Sequence, residues 1–507
     1  MSVFQMAQNS PKLTLPPSVD GFQDVFVHTS IKKSHVDISV DTHTVADGLS
    51  RRPPNIEGVR ATWVFPVSSE NPDKLINDGV VVFDNVAGNL LFVSSYSEFT
   101  QSEYKDVQLQ SLGKNRLLIP GLINCHVHSP MSLMRGFSDD QKLHDWLRDI
   151  WIAEKAVVSA EYVTAGTELA VYEMLKTGTT TFCDQYFHSN ATIDVCMRAG
   201  IRVANGEPIL VFDQEAIKHN DPAMHALVKA TVDDILERRV KYPFPNVIPM
   251  MNPHAPYTVP DGLFKHLAHY QKQLNCGMHI HLNESTTEIH NYNSLNKRSA
   301  FQTLKDHGLL TEKLVCAHCV VMTEEEIDCF AANRVNVVHC PKSNLKLASG
   351  FCPAQYMLDK GVNVCIGSDG CCSNNGLNLL SDMQVAALLG KAVSDDATAM
   401  NCKTVIKMAT INGAKALGVD HLLGSLEKGK LCDMVSIDIS AIECSPIFDP
   451  ISTVVYSGGR KVDSVWIGGK KLVEGGRVLN FEVDLNKVDK FGNQLLSLYK
   501  LNNKVNS

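Results

Sequence analysis

Hydrophobic and polar residues follow two different periodic patterns along the chain. Between residues 116 and 370, apolar runs of strand length alternate with stretches whose apolar residues recur at helical spacing. Eight such units predict an α/β protein with a TIM-type (β/α)8 barrel, whose active site lies at the carboxyl ends of the strands. The predicted strands are residues 117–128, 179–186, 201–211, 247–257, 276–282, 313–320, 335–341 and 362–369, and the predicted helices include residues 160–176, 223–242, 261–274 and 377–393.

The segments on either side of the barrel have a different pattern. Short apolar runs separated by Asp, Asn and Gly precede it, and short strands with Gly-Gly turn signals follow it. These patterns predict one small β-sandwich domain that is built from both segments. The predicted organisation is residues 57–115 and 422–485 for the β-sandwich, 116–421 for the barrel with a last helix at 404–417, 486–507 for a C-terminal tail or helix, and 1–56 for a partly ordered N-terminal extension.

Composition narrows the classes of partner. The 507 residues are 44% hydrophobic and 20% charged, which is ordinary for a globular protein, and the net charge of -8 offers no attraction to a phosphate backbone. We therefore expect a small-molecule substrate and no nucleic acid. The fifteen scattered cysteines, the absence of a signal-like start and the absence of a run of about 18 apolar residues favour a cytoplasmic protein without a membrane partner. A homo-oligomer such as a dimer is compatible with this composition.

Candidate chemistry appears where the predicted strands end. His126 and His128 are two residues apart on a strand, so both side chains point to the same side. A single strand histidine is usually a structural residue, but several at the same end of a barrel predict an active site. The further strand-end residues of this kind are His279, His281, Glu284, His318, His339 and Asp369.

These residue types suit metal-dependent hydrolysis. Three imidazoles and a carboxylate can bind zinc and leave one position for water, whose pKa falls to about 7 on such an ion. Glu284, three residues after His281, is placed to carry a proton rather than to bind the metal. His318 can orient or deprotonate the water.

Several long motifs together resemble the amidohydrolase superfamily. Within it, they are most similar to the S-adenosylhomocysteine/5'-methylthioadenosine deaminases. The resemblance extends in order over about residues 60 to 480 and leaves residues 1–56 uncovered. The motifs are residues 120–136, 281–284, 317–319, 341–350 and 367–370.

The resemblance implies a role for each site residue. It implies one Zn²⁺ per subunit, with Fe²⁺ a weaker candidate, and a Glu284 that contacts the substrate and protonates a purine ring nitrogen. Asp369 would both bind the metal and move a proton, and His318 would act as the second acid or base. The implied metal ligands are His126, His128, His281 and Asp369, and the implied substrate contacts are Trp146, Glu154 (to the ribose hydroxyls), His254 and Glu284.

We therefore expect a zinc-dependent hydrolytic deaminase of an adenosine-type nucleoside. Residues 204–208 lack the arginine that some relatives use for the homocysteine carboxylate, which favours adenosine, methylthioadenosine or deoxyadenosine over S-adenosylhomocysteine. The alternatives are a guanine, 8-oxoguanine or pterin deaminase, a triazine chlorohydrolase or aminohydrolase, and a catalytically silent scaffold. Without the resemblance, Glu154 is an ordinary helix-surface carboxylate and His254 a loop histidine.

Overall fold

The structure is a computed structural model that describes residues 53–141, 143–211 and 221–505. Nearly all of the predicted N-terminal extension lies outside the described residues. Among the described residues, eight consecutive parallel strands form a nearly closed barrel, which confirms the predicted architecture. From first to eighth, the barrel strands are Leu122–Val127, Thr179–Asp184, Arg202–Asn205, Val247–Pro253, Gly277–Leu282, Leu314–His318, Asn336–His339 and Asn363–Ile366; the short strand Pro208–Ile209 also pairs with the fourth.

Helices cover the outside of the barrel, so its strands are buried on both faces. Every residue of the first, second and fourth strands is buried, which explains why apolar and polar residues do not alternate along them. The predicted helices Ala160–Lys176 and Asp261–Leu274 have the predicted bounds. The other helices of the described residues are Tyr96–Phe99, Leu143–Val157, Ser189–Ala199, Asp221–Lys241, Thr286–Asn296, Ala300–Asp306, Glu324–Asn333, Pro341–Lys346, Ala354–Asp359, Cys371–Asn374, Leu379–Ser394, Cys402–Met408, Ile411–Ala416, Pro450–Tyr456 and Leu485–Val505, with 3-10 turns at Ser129–Met134, Pro256–Thr258 and Ile442–Cys444.

One predicted helix is divided in two. The helix expected at residues 404–417 is broken between Cys402–Met408 and Ile411–Ala416. The Ala409 carbonyl accepts a 2.8 Å hydrogen bond from the Ile123 amide of the first barrel strand. This long-range bond ties the break to the barrel, and periodicity within the helix does not reveal it.

The small domain is a mixed sheet assembled from both flanking segments. Its strand Arg116–Pro120 pairs with Ile56–Val64 and with Met434–Asp438, although the sequence predicted it as the start of the first barrel strand. The chain passes from this sheet to the barrel at Gly121, where a Cβ atom would overlap the Thr180 side chain. Along the sheet, the strand order is Arg477–Val478, Lys470–Glu474, Lys461–Ile467, Met434–Asp438, Arg116–Pro120, Ile56–Val64, Ile76–Asp84 and Asn89–Ser95, with Leu109–Ser111 also paired to Ile56–Val64.

Side chains inside the barrel form a hydrophobic cluster of their own. Ile123, Met250 and Val315 belong to it, together with Ala414 from the helix Ile411–Ala416. This cluster fills the barrel beneath the carboxyl ends of the strands and gives the polar residues there a rigid base. Within the described part of the chain, no helix is both long and apolar enough to cross a membrane.

Candidate active site

Histidines from the first and fifth barrel strands meet at the carboxyl ends of these strands. His126 and His128 lie at the end of the first strand, and His281 lies near the end of the fifth. The ring centroid of His126 is 4.8 Å from those of both His128 and His281. One ring nitrogen from each of the three residues lies within 4.8 Å of the others. The structure thus brings together the three histidines that the resemblance implied as metal ligands.

Main-chain carbonyls fix the tautomers of two of these histidines. Nδ1 of His128 lies 2.6 Å from the Gln185 carbonyl oxygen. Nδ1 of His281 lies 2.7 Å from the His254 carbonyl oxygen. Because a carbonyl oxygen only accepts hydrogen bonds, both Nδ1 atoms donate, and in the neutral imidazole each Nε2 then presents a lone pair.

The two lone pairs face each other. Nε2 of His128 is 3.2 Å from Nε2 of His281. Burial and the neighbouring imidazoles hold the pKa of His281 well below its usual value, so a shared proton at neutral pH is disfavoured. A cation between the two nitrogens would replace their repulsion with attraction.

Asp369 supplies a carboxylate to the same position. Its Oδ1 lies 3.3 Å from Nε2 of His126 and 3.3 Å from Nε2 of His128. Its Oδ2 accepts hydrogen bonds from Ser343 Oγ at 2.6 Å and from Ser373 Oγ at 3.0 Å. Burial alone would raise the pKa of Asp369, but the surrounding imidazoles hold it well below its usual value. The group is therefore a carboxylate across the physiological range.

The spacing of these atoms fits a small tetrahedral cation. Two ligands of a tetrahedral ion with bonds of about 2.0 to 2.1 Å lie about 3.3 Å apart. The separations of 3.2 Å between His128 and His281 and of 3.3 Å from Asp369 to His126 and His128 match this value. In addition, Nε2 of His126 is buried and has no hydrogen-bond partner among the described residues. The donor set thus fits a metal ion.

His318 lies between two carboxylates beside this position. Its Nε2 is 4.0 Å from Glu284 Oε2 and 3.9 Å from Asp369 Oδ2. Its Nδ1 lies 2.9 Å from Asn344 Oδ1, an amide oxygen that accepts, so Nδ1 carries a hydrogen. Burial would lower the pKa of His318, but Glu284 and Asp369 raise it. The two carboxylates therefore favour the protonated form of His318.

Comparison with known proteins identifies the family. The pattern of the amidohydrolase family matches residues 117–472. This chain belongs to the amidohydrolase family. The metal-compatible cluster described above lies at the carboxyl ends of the barrel strands of this amidohydrolase, which is where barrel enzymes keep their catalytic residues.

Relatives of this amidohydrolase have names that concern adenosine-type compounds. It is 38% identical over 418 residues to a 5-methylthioadenosine/S-adenosylhomocysteine deaminase of Teredinibacter turnerae, covering 82% of this chain and 91% of the relative. A protein of the same name from Saccharophagus degradans is 37% identical over 423 residues, with the same shares covered. A crystal structure of an adenosine deaminase from Xanthomonas campestris with bound zinc has a TM-score of 0.77 and 34% identity, covering 88% of this chain and 98% of that one.

Glu154 lies in the helix Leu143–Val157 near the histidines and is buried rather than at the helix surface. Its Oε1 accepts a 2.7 Å hydrogen bond from the Tyr186 hydroxyl. Burial raises the pKa of Glu154 to about 7, although the Tyr186 bond and His128 oppose the rise. The Tyr186 hydroxyl thus fixes one carboxyl oxygen of Glu154.

Two more of the predicted substrate contacts, Trp146 and His254, have different surroundings. Trp146 is buried in a hydrophobic cluster with Ile150 and Tyr186. The His254 ring lies 4.8 Å from the His281 ring between centroids, and its Nδ1 is 2.9 Å from Thr258 Oγ1. Burial lowers the pKa of His254 to about 3, so this imidazole is neutral and lies beside the metal-compatible cluster.

Several residues that support the site were not identified from the sequence. Gln185 and Tyr186 directly follow the second barrel strand, so their position at a strand end was the available signal. Ser343 and Asn344 lie within the motif of residues 341–350 that resembles the amidohydrolase superfamily. A single sequence does not indicate which site residue each of them contacts. Ser373 follows Asp369 by four residues.

Proposed function

We propose that this amidohydrolase is a zinc-dependent hydrolytic deaminase of an adenosine-type nucleoside, which forms the inosine-type product and ammonia. One observation carries the proposal: Nε2 lone pairs and a carboxylate converge at tetrahedral spacing beside the Glu284–His318 pair. The names of the relatives support the substrate class. When bound, the zinc ion supplies Lewis-acid activation of a water molecule.

The proposed metal ligands are His126, His128, His281 and Asp369. The histidines bind through Nε2, because the Nδ1 atoms of His128 and His281 already donate to carbonyl oxygens. Asp369 uses Oδ1, while two serine hydroxyls hold its Oδ2. These hydrogen bonds orient the ligands before any substrate arrives, which reduces the reorganisation that the reaction requires.

Proton transfer falls to Glu284, His318 and Asp369. Hydrolytic deamination adds water to the amino-bearing carbon, places one water proton on the ring nitrogen and sends the other to the departing amino group. Glu284 delivers the proton to the ring nitrogen, because its carboxyl group borders the site without joining the proposed ligands. Asp369 Oδ2 takes the second water proton and passes it to the departing amino group, with His318 Nε2 3.9 Å away as the second acid or base.

The proposed ribose contact is Glu154. Its Oε1 is occupied by Tyr186, so Oε2 is the oxygen that we assign to a ribose hydroxyl. With a pKa raised to about 7, the group is partly ionised at neutral pH. The ionised form accepts a hydrogen bond from the ribose, and a free base offers no such donor. His254 and Trp146 stay proposed contacts of the nucleoside.

A substrate panel tests the proposal. Ammonia release would be measured with adenosine, methylthioadenosine, deoxyadenosine, S-adenosylhomocysteine, adenine, guanine, a pterin and an amino-substituted triazine. The proposal requires turnover of at least one adenosine-type nucleoside at a higher kcat/KM than any free base. A preference for guanine or the pterin would instead assign the chain to the base or pterin deaminases, and activity only on triazines would assign it to that branch.

A further inference from the structure

His279 is a buried imidazole that contacts the histidine cluster without belonging to it. It lies in the fifth barrel strand two residues before His281, so both side chains point to the same side. It is fully buried. Its Nε2 lies 3.0 Å from Nδ1 of His126, with ring centroids 4.9 Å apart. The proposed reaction gives His279 no role, although it is one of the strand-end histidines of the sequence.

His126 differs from the other two histidines of the cluster in its hydrogen-bond partner. Nδ1 of His128 and Nδ1 of His281 each face a main-chain carbonyl, which only accepts. Nδ1 of His126 instead faces a ring nitrogen of His279, which can accept or donate. The contact therefore allows two arrangements of the hydrogen atoms.

Only one arrangement leaves His126 able to bind a metal. If His279 donates, neutral His126 carries its hydrogen on Nε2, which lies 3.3 Å from Asp369 Oδ1. Nε2 of His126 then has no lone pair with which to bind a metal. If His126 donates from Nδ1, its Nε2 lone pair is free, and this Nε2 has no hydrogen-bond partner among the described residues.

We propose that His279 is a positioning residue for the metal site. Its Nε2 accepts the hydrogen bond from Nδ1 of His126 and so directs the Nε2 lone pair of His126 toward the metal. His279 then carries its own hydrogen on Nδ1, which has no partner among the described residues. The inference rests on the metal site of the proposed function, and it adds a support that acts through His126 without contact with the substrate.

Two substitutions separate the hydrogen bond from the volume of the side chain. His279→Leu removes the acceptor, and His279→Gln retains one in its amide oxygen. Loss of a hydrogen-bond partner of a metal-bound histidine typically weakens metal binding by roughly 10- to 100-fold. We expect His279→Leu to raise the zinc Kd by roughly this factor, and His279→Gln to restore it to within about threefold of the parent protein.

His339 provides a matched control. It is also fully buried at the end of a barrel strand, and its Nδ1 has no hydrogen-bond partner among the described residues. It makes no hydrogen bond or ring contact with His126, His128 or His281 among those found for the described residues. His339→Leu reports the general effect of removing a buried imidazole from the barrel, and we expect its zinc Kd to change by less than about threefold.

The experiment measures the zinc Kd of the full chain by competition with a chelator, and kcat and KM at saturating zinc. A weaker Kd for His279→Leu, with recovery in His279→Gln, a near-parental His339→Leu and an unchanged KM, supports the proposal. Parental zinc affinity in His279→Leu, or equal losses in the Leu and Gln variants, overturns it. If His279→Leu does not fold, His279→Met serves as the variant without a strong acceptor. A parent protein that binds no zinc refutes the proposed function itself, a result distinct from failure of this inference.

Discussion

The Tyr186 hydroxyl donates a 2.7 Å hydrogen bond to Oε1 of Glu154 inside a buried hydrophobic cluster. Tyr186 follows the second barrel strand, whereas Glu154 lies in the helix Leu143–Val157. The bond therefore fixes a helix-borne carboxyl group relative to the barrel. It links the proposed ribose contact to the scaffold that holds the histidines.

Tyr186→Phe removes this bond and keeps the ring. Hydrogen bonds to charged groups contribute about 1.5 to 3 kcal/mol. Because Glu154 is only partly ionised, we expect the loss of substrate-binding free energy to lie near the lower value. We expect KM for adenosine or methylthioadenosine to rise by roughly tenfold with the zinc content unchanged. Steady-state kinetics and metal analysis of the same preparation provide the check. An unchanged KM would show that the ribose does not depend on this pair.

The second prediction concerns the choice between nucleoside and base. Adenine lacks the ribose hydroxyls that would donate to Glu154, so the kcat/KM of the nucleoside should exceed that of adenine by at least about tenfold, or about 1.4 kcal/mol. Glu154→Ala should remove most of this ratio and leave zinc bound. Equal kcat/KM values for adenine and adenosine in the parent protein would contradict the assignment of Glu154.

The third prediction separates proton delivery from metal binding. Glu284→Gln keeps the shape of the side chain and removes its acidic proton, so kcat should fall by roughly 10²-fold or more with zinc retained. Glu288→Gln is the matched control, because Glu288 accepts a 2.8 Å bond from the Glu284 amide and a Gln oxygen can also accept it. We expect the control to lose less than about threefold in kcat. Loss of zinc in Glu284→Gln would show that Glu284 supports metal binding, which contradicts its assignment as a proton carrier only.

The sequence predicted those parts of the fold that depend on neighbouring residues, and it missed a boundary that depends on distant strand pairing. Strands buried on both faces appear as short, mostly apolar or β-branched runs between helix-length stretches, so all eight barrel strands could be located. The first strand nevertheless begins at Leu122, because the preceding residues Arg116–Pro120 pair within the mixed sheet. That boundary depends on pairing with Met434–Asp438, more than 300 residues away, and local periodicity does not contain it.

The site likewise combines features that are local in the sequence with features that depend on distant residues. His126, His128 and His281 were identifiable because their residue types and spacing are written in the chain. Their orientation depends on the carbonyl oxygens of Gln185 and His254, and any residue could supply such an atom. The cytoplasmic location, the homo-oligomeric state and the individual site roles stay predictions.

Asp382 provides a test of the electrostatics away from the proposed catalytic groups. Burial raises its pKa to about 7, opposed by Lys342 and by the hydrogen bond from Asn374. Since the folded state holds this proton more tightly than the unfolded state, the stability contributed by the group is highest below pH 3.8 and falls as the pH rises toward about 7. Complete ionisation of Asp382 thus lowers the free energy of unfolding by on the order of 4 kcal/mol.

Asp382→Asn removes this cost and keeps an oxygen that can accept from Asn374. We expect the free energy of unfolding to increase more at pH 8 than at pH 5, as measured by urea unfolding of both proteins in the same metal-free buffer. The same change at both pH values would contradict a raised pKa for Asp382.

Zinc dependence is the central claim, and His126→Ala and Asp369→Ala each remove one proposed ligand. We expect both variants to lose bound zinc and turnover together. The most direct measurement titrates metal-free parent protein with zinc and follows deamination of adenosine or methylthioadenosine at the adenine band. The account predicts no turnover without metal and a rise in rate that saturates at about one zinc per chain. Full turnover by the metal-free protein, or zinc bound at this ratio with no turnover of any adenosine-type nucleoside, would contradict it.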